Sequence, residues 1–237
     1  MTGECSMQEE KNAHNREQEK VEKILHSPIE RALQRLNHGL LGPRMPQWMT
    51  AMRMTGLGAI ACIIAVICAV LSRFSYLWLI GTVLGLLTHL IADDLDGYLA
   101  KARNQGSDAG AFFDLMTDVV FSTFLILAFG TTPYVHMETA AFMAPIYGVI
   151  NVALMMSVIY LKQFPLPVLG PAEAHFAYIG LCIAIPIFGD RTFFTFLNIP
   201  FTFGDIMMTV GGTAMHIVTI YTLFDLFHKM KKKDAKD

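Results

Sequence analysis

Two short runs carry more carboxylates than apolar sequence normally tolerates. The first reads Asp93-Asp94-Leu95-Asp96-Gly97-Tyr98-Leu99-Ala100-Lys101, the second Gly110-Ala111-Phe112-Phe113-Asp114-Leu115-Met116-Thr117-Asp118. An ionisable side chain inside a membrane helix costs several kcal/mol unless it is paired, hydrated or bound to a cation. With helical spacing, Asp93, Asp96, Gly97, Ala100 and Lys101 share one broad face. Ser107, Gly110, Asp114 and Asp118 share a face of the next helix. The turn between them, residues 102–106, is short, so the two helices are expected to be antiparallel neighbours with these faces opposed. Four carboxylates gathered in a low dielectric cannot all ionise. One or two divalent cations remove the difficulty, and oxygen-only ligands favour Mg2+ or Mn2+ over zinc. Small residues beside the acids leave room for a ligand. Metals, space and the point charge of Lys101 suit a pyrophosphate. One carboxylate is then left to take a proton from an attacking hydroxyl.

The elements that must carry these residues follow from hydropathy. The chain has 237 residues, is 54% hydrophobic and has a formal net charge of −2. Apolar runs of about 18–25 residues recur, the length that spans a bilayer. They predict six spans, near 49–71, 77–101, 108–130, 138–161, 172–189 and 205–227, and so an all-α polytopic membrane protein. Breaks are expected at 73–76, 102–106, 130–133, 164–167 and 189–204, with Pro186 kinking the end of span five. Residues 1–20 are polar and are expected to be disordered. Residues 21–45 form an amphipathic juxtamembrane segment, 46–228 the six-helix domain, and 229–237 a basic tail.

Within the juxtamembrane segment, Ser27-Pro28-Ile29-Glu30 reads as a capped helix start, and Gly39 and Pro43 as its end. Ile29, Leu33, Leu36 and Leu40 fall on one face, as in a helix lying on a membrane; a short cap packed on the bundle is the other reading. The polar start reads as having no cleaved leader, so the first span is expected to serve as the insertion signal. Cys62, Cys68 and Cys182 lie in apolar runs, Cys5 outside them, and none has metal-ligand spacing; they read as packing residues. Arg31, Arg35, Arg44, Lys101, Arg103, Lys162, Lys229 and Lys231 to Lys233 flank one side, against Arg73 and Arg191 on the other. Both termini and the acidic cluster are therefore expected on the cytoplasmic side. Membrane lipids are expected partners, the lysine tail reading as a headgroup contact or a solvated run. Nucleic acid is not.

The spacing Asp-x2-Asp-Gly-x2-Ala-Arg-x8-Gly-x3-Asp-x3-Asp is the signature of the CDP-alcohol phosphotransferases. Asp93, Asp96, Gly97, Ala100, Gly110, Asp114 and Asp118 stand at its positions, with Lys101 where the family usually has Arg. The chain thus resembles that family, whose six-helix core agrees with the spans above. The resemblance implies Asp93, Asp96 and Asp114 as metal ligands and Asp118 as general base and further ligand. It implies Gly97, Ala100, Lys101 and Ser107 lining a CDP-linked substrate, with Gly110 admitting the nucleotide. An alcohol would attack the phosphate nearer the non-cytidine end of the diphosphate and CMP would leave. It also allows a homodimer. Lys101 keeps charge but loses Arg's planar bidentate donor.

Finer hints diverge. Asn104-Gln105-Gly106-Ser107 with Thr117 looks like phosphatidylinositol synthases, although Val119 stands where those enzymes carry a basic residue. Gly170-Pro171-Ala172-Glu173 looks like aminoalcohol phosphotransferases, which use CDP-choline or CDP-ethanolamine with diacylglycerol. The reading preferred here is CDP-diacylglycerol with a small polar alcohol. A divalent-cation transporter and a noncatalytic relative stay open as other classes.

Other residues have two readings each. Asp94 is a supporting or helix-facing group or a direct ligand. His89, one turn before Asp93, is a packing histidine or a ligand. Arg53 contacts a phosphate or snorkels, beside Thr50 and Thr55, which match the outer threonines of a family pattern at this place. Glu173 and His175 select the acceptor or cap the fifth span. Tyr147 and Asn151 line a cavity or bond between helices. His216 and Asp225 have no partner at defensible spacing.

Overall fold

Long apolar runs become helices because a bilayer offers no water to satisfy backbone N–H and C=O groups. The computed structural model describes residues 23–24, 28–161, 164–165, 171–196 and 199–235. A short helix α1 (Pro28–Leu36) precedes α2 (Ala51–Leu71), α3 (Trp78–Ala102), α4 (Asp108–Gly130), α5 (Met137–Leu161), α6 (Pro171–Phe188) and α7 (Phe203–Asp234). Five of these, α2 to α5 and α7, are long and apolar enough to cross a membrane, and α6 is a shorter apolar helix. This is the all-α polytopic membrane architecture that hydropathy predicts. Large apolar side chains such as Ile60, Ile63, Leu84, Phe124, Val152 and Ile183 are exposed around it, as a lipid-facing belt requires.

Small residues set the closest helix pair. A Cβ on Gly85 of α3 would stand 2.8 Å from both the Ala61 carbonyl oxygen and the Ala65 Cβ of α2. One on Gly81 would stand 2.6 Å from Cys68 Sγ, and one on Gly58 3.3 Å from Ala92 Cβ and His89 Nδ1. The helices therefore run antiparallel with backbones in near contact, the small-residue packing that membrane bundles use. Gly85→Ala is expected to force the pair apart. The cost is about 1–3 kcal/mol, because the obstructing atom is backbone. Thermal unfolding in detergent would read it, and an unchanged midpoint would refute it.

The connections hold more structure than the expected breaks. Residues Lys23–Ile24 (β1) pair in parallel with Phe164–Pro165 (β2). Thr192–Phe196 (β3) and Ile199–Thr202 (β4) form an antiparallel ladder between α6 and α7. Alternating Thr and Phe give this segment its strand preference. The α7 helix also runs unbroken to Asp234, so Lys229 and Lys231 to Lys233 are helical rather than a separate tail. Lysine is a good helix former, and cations at a helix C-terminus complement its dipole.

The juxtamembrane segment differs in shape from its prediction. The α-helix ends at Leu36, before Gly39. A wide π-type turn spans Asn37–Leu41 and a tight 3-10 turn Gly42–Arg44. Ile29, Leu36 and Leu40 are left exposed. The turn docks on α3: Asn37 Nδ2 donates to Asp94 Oδ2 at 2.8 Å, and His38 Nε2 lies 3.2 Å from Asp94 Oδ1. A Cβ on Gly42 would stand 2.5 Å from the Tyr98 ring, so only glycine seats there. Ser27, and residues 1–20, lie outside the described residues.

Candidate active site

Asp93 of α3 and Asp114 and Asp118 of α4 are half-buried and each offers a carboxylate oxygen, the three oxygens lying within 4.8 Å of one another. The expected packing of their helices needs correction. α2 packs against both α3 and α4, whereas the backbones of α3 and α4 scarcely approach. The carboxylates of α3 and α4 nonetheless meet, with α2 packed against both helices.

Asp96 is bonded to α2 while staying beside the other acids. It is buried, and the Thr55 hydroxyl of α2 stands 2.5 Å from its Oδ2. Three residues beyond Asp93, its side chain turns toward α2 rather than α4. It lies outside the group of three, as its immediate neighbour in the same acidic patch.

The small and polar residues around the acids take distinct places. Gly97 is exposed, with nothing among the described residues within 4 Å of where a Cβ would stand. Ala100 is half-buried and Lys101 exposed in the last turn of α3. Ser107 is the N-cap of α4, its hydroxyl accepting from Gly110 N at 3.1 Å. Thr50 similarly caps α2 by accepting from Arg53 N. The Arg53 guanidinium donates to the Trp48 carbonyl at 2.5 Å. Asp94 faces the juxtamembrane turn, where its carboxylate meets Asn37 and His38.

Sequence reasoning used Arg103 for orientation only. In the structure it is a clamp: Nη1 donates to the Met49 and Pro46 carbonyls at 2.7 and 3.2 Å, and Nη2 to the Met45 carbonyl at 2.7 Å. Gln105 Oε1 accepts from Ala51 N at 3.0 Å. The turn after α3 thereby fixes the entry to α2, and α2 seats the acids. Lysine has one point-like head and cannot span three carbonyls. Arg103→Lys is therefore expected to lower stability by about 1–2 kcal/mol. Faster proteolysis between residues 45 and 49 would report it, and cleavage at the wild-type rate would argue against a clamp.

Beneath the acids lies a buried ring cluster. His89 Nε2 is 3.1 Å from Asp118 Oδ1. Its ring centroid is 5.1 Å from both Phe121 and His175. Glu173 is half-buried and His175 buried at the start of α6, and the His175 ring meets those of His89 and Phe121. Buried Tyr147 is within electrostatic range of Asp118 and Glu173. Asn151 bonds within its own helix, to the Tyr147 carbonyl. His216 bonds the Gly212 carbonyl and stacks on Phe142, and Asp225 pairs with Lys229, all away from the acids.

Fold and site together define a polytopic helical membrane protein with a carboxylate centre between two of its spans. Residues 44–210, well over half of the chain, match the family described as CDP-alcohol phosphatidyltransferase, and the protein belongs to that family. It is thereby a membrane transferase of phospholipid synthesis, moving phosphate groups from CDP-alcohols. No curated protein matches the chain.

Proposed function

We propose that the protein transfers a phosphatidyl group from CDP-diacylglycerol to a small polar alcohol, releasing CMP. The observation that carries this reading is the group of three carboxylate oxygens within 4.8 Å, on helices whose backbones stand apart. All three donors are hard oxygens, and a divalent ion with ligands at about 2.0–2.6 Å can join atoms so spaced. Asp93, Asp114 and Asp118 would hold Mg2+ or Mn2+, with Asp96 completing a site for a second ion. When bound, such ions neutralise phosphate charge and favour in-line displacement.

The chain's own residues supply the rest. The open face at Gly97 and Ala100 admits the nucleotide, and Lys101 offers its ammonium to a phosphate. Asp118 accepts the proton of the acceptor hydroxyl as that oxygen bonds to the lipid-side phosphorus. The bond from phosphorus to the CMP oxygen breaks, and CMP leaves with the electron pair. Ser107 acts through its cap, holding the first turn of α4 and Gly110 in place. The bias of Lys and Arg toward one set of loops supports a site open to the cytoplasm and its leaflet.

The compact six-span bundle favours a lipid donor with a small acceptor. The deciding experiment measures CMP release by purified protein with Mg2+ or Mn2+. One arm supplies CDP-diacylglycerol and a panel of small alcohols, the other CDP-choline or CDP-ethanolamine with diacylglycerol. Metal-dependent CMP in the first arm supports the proposal. CMP in the second alone moves the assignment to aminoalcohol transfer, to which Glu173 at the start of α6 would then be relevant. Folded protein that makes no CMP in either arm, yet passes metal into liposomes, would be a transporter.

A further inference from the structure

We infer that His89 is a positioning residue that acts through Asp118, setting the direction of its carboxylate. His89 is 3% exposed, and its Nε2 lies 3.1 Å from Asp118 Oδ1. The ring has little freedom. Phe121 of α4 meets it edge-on at 5.1 Å, with an interplanar angle of 63°, and His175 of α6 lies at 5.1 Å on a tilted plane. On the α2 side Gly58 brings backbone so near that a Cβ would stand 3.3 Å from Nδ1. One imidazole is thus held by three helices, α2, α4 and α6, while rooted in a fourth, one turn before Asp93.

Packing alone does not account for a histidine here. Its Nδ1 has no hydrogen-bond partner among the described residues. A buried polar atom left so costs about 1–3 kcal/mol, and leucine would fill similar space without it. What offsets that cost is the close polar approach of Nε2 to Asp118 Oδ1, an ion-pair contact made outside hydrogen-bond geometry. Groups that orient a metal-binding carboxylate typically change metal affinity or activity by about 10–100-fold when removed. Asp118 is one helical turn from Asp114, with its oxygen within 4.8 Å of those of Asp93 and Asp114, a placement that a rotation of its χ1 would alter. His89 resists that rotation. The inference rests on the proposed use of Asp118.

The test compares His89→Leu, His89→Gln and His89→Asn in otherwise intact protein. Glutamine carries an amide N–H to about the reach of Nε2, and asparagine falls one methylene short. Mn2+ affinity is read by titration without substrate, kcat and KM for the CDP donor by CMP release, and folding by thermal melting. Leu and Asn variants are expected to bind Mn2+ about 10-fold more weakly and to lose at least about 10-fold in kcat, with KM within about twofold. The Gln variant is expected to recover most of both. Wild-type Mn2+ affinity in the Leu variant would overturn the inference, as would equal losses in the Gln and Asn variants. If the leucine variant does not fold, the Gln and Asn pair decides. If wild-type protein makes no CMP, the proposed reaction fails but the Mn2+ comparison still judges His89.

Discussion

Asp118→Asn is expected to abolish metal-dependent CMP release, by about 1,000-fold or more, while the protein stays folded. A general base contributes about 10²–10⁴ in rate, and this carboxylate is also one of three oxygens placed to share an ion. The amide keeps the volume of the side chain and a contact for His89, so the bundle has no reason to open. It loses the negative charge and the basicity. Asp94→Asn is the informative control. Asp94 is adjacent to Asp93 in sequence but bonds Asn37 and His38 of the juxtamembrane turn. Its neutralisation is expected to leave CMP release within about threefold, because its carboxylate bonds the juxtamembrane turn and is not one of the three that share the cluster. Initial rates of CMP formation for both variants check the pair of expectations. Equal loss in both would mean that the acidic run acts as one electrostatic body rather than as placed residues. Retained activity in Asp118→Asn would remove Asp118 from the chemistry.

Most of the bundle was legible in the sequence because its signals are local. Apolar runs of bilayer length mark the spans, and helical spacing alone brings Asp114 and Asp118 to one face. What was not legible depends on a third element. Asp93 and Asp96 both point away from lipid, but Thr55 of α2 stands beside only one of them. Spacing on α3 cannot say where α2 lies. Likewise the turn at 102–106 made α3 and α4 consecutive, and short connections usually mean packed neighbours. The small residues Gly58, Ala61 and Ala65 instead draw α2 against α3, and α2 reaches α4 as well. Arg103 was counted as one positive charge, yet its three carbonyl bonds reach residues more than fifty positions away. The Thr and Phe alternation from 192 onward did carry a strand signal. That signal is short and lies between two apolar runs, where span hydropathy dominates the pattern.

Asp205 is the residue whose loss is expected to cost the fold most, at the end of the bundle away from the acidic group. It is fully buried. One oxygen, Oδ1, accepts from His136 N at 2.7 Å, and the other lies 2.6 Å from His136 Nδ1 and 2.9 Å from Thr202 N. The Thr202 hydroxyl accepts from Asp205 N at 3.1 Å, which closes a capping box at the start of α7. That hydroxyl also donates to the Tyr134 carbonyl at 2.5 Å, so the start of α7 is tied to the approach to α5. A Cβ on Gly204 would collide with the same carbonyl, so the chain passes here with no clearance. Thr202-Phe203-Gly204-Asp205 is a capping-box pattern visible in the sequence, but nothing local announces His136 as the partner. Removing one member of a buried pair typically costs about 3–5 kcal/mol, and the half-buried His136 can recover some hydration. Asp205→Ala is therefore expected to cost about 2–4 kcal/mol and to lower the melting midpoint clearly. Asp205→Asn should cost less, because an amide oxygen still accepts from the backbone. Protein that survives at low temperature should keep its metal affinity, since the carboxylates of α3 and α4 are not touched. A double-mutant cycle with His136→Ala separates the pair from the cap. Strict additivity would place the whole cost in the cap of α7, whereas a coupling of about 1 kcal/mol or more would show that Asp205 and His136 join α5 to α7.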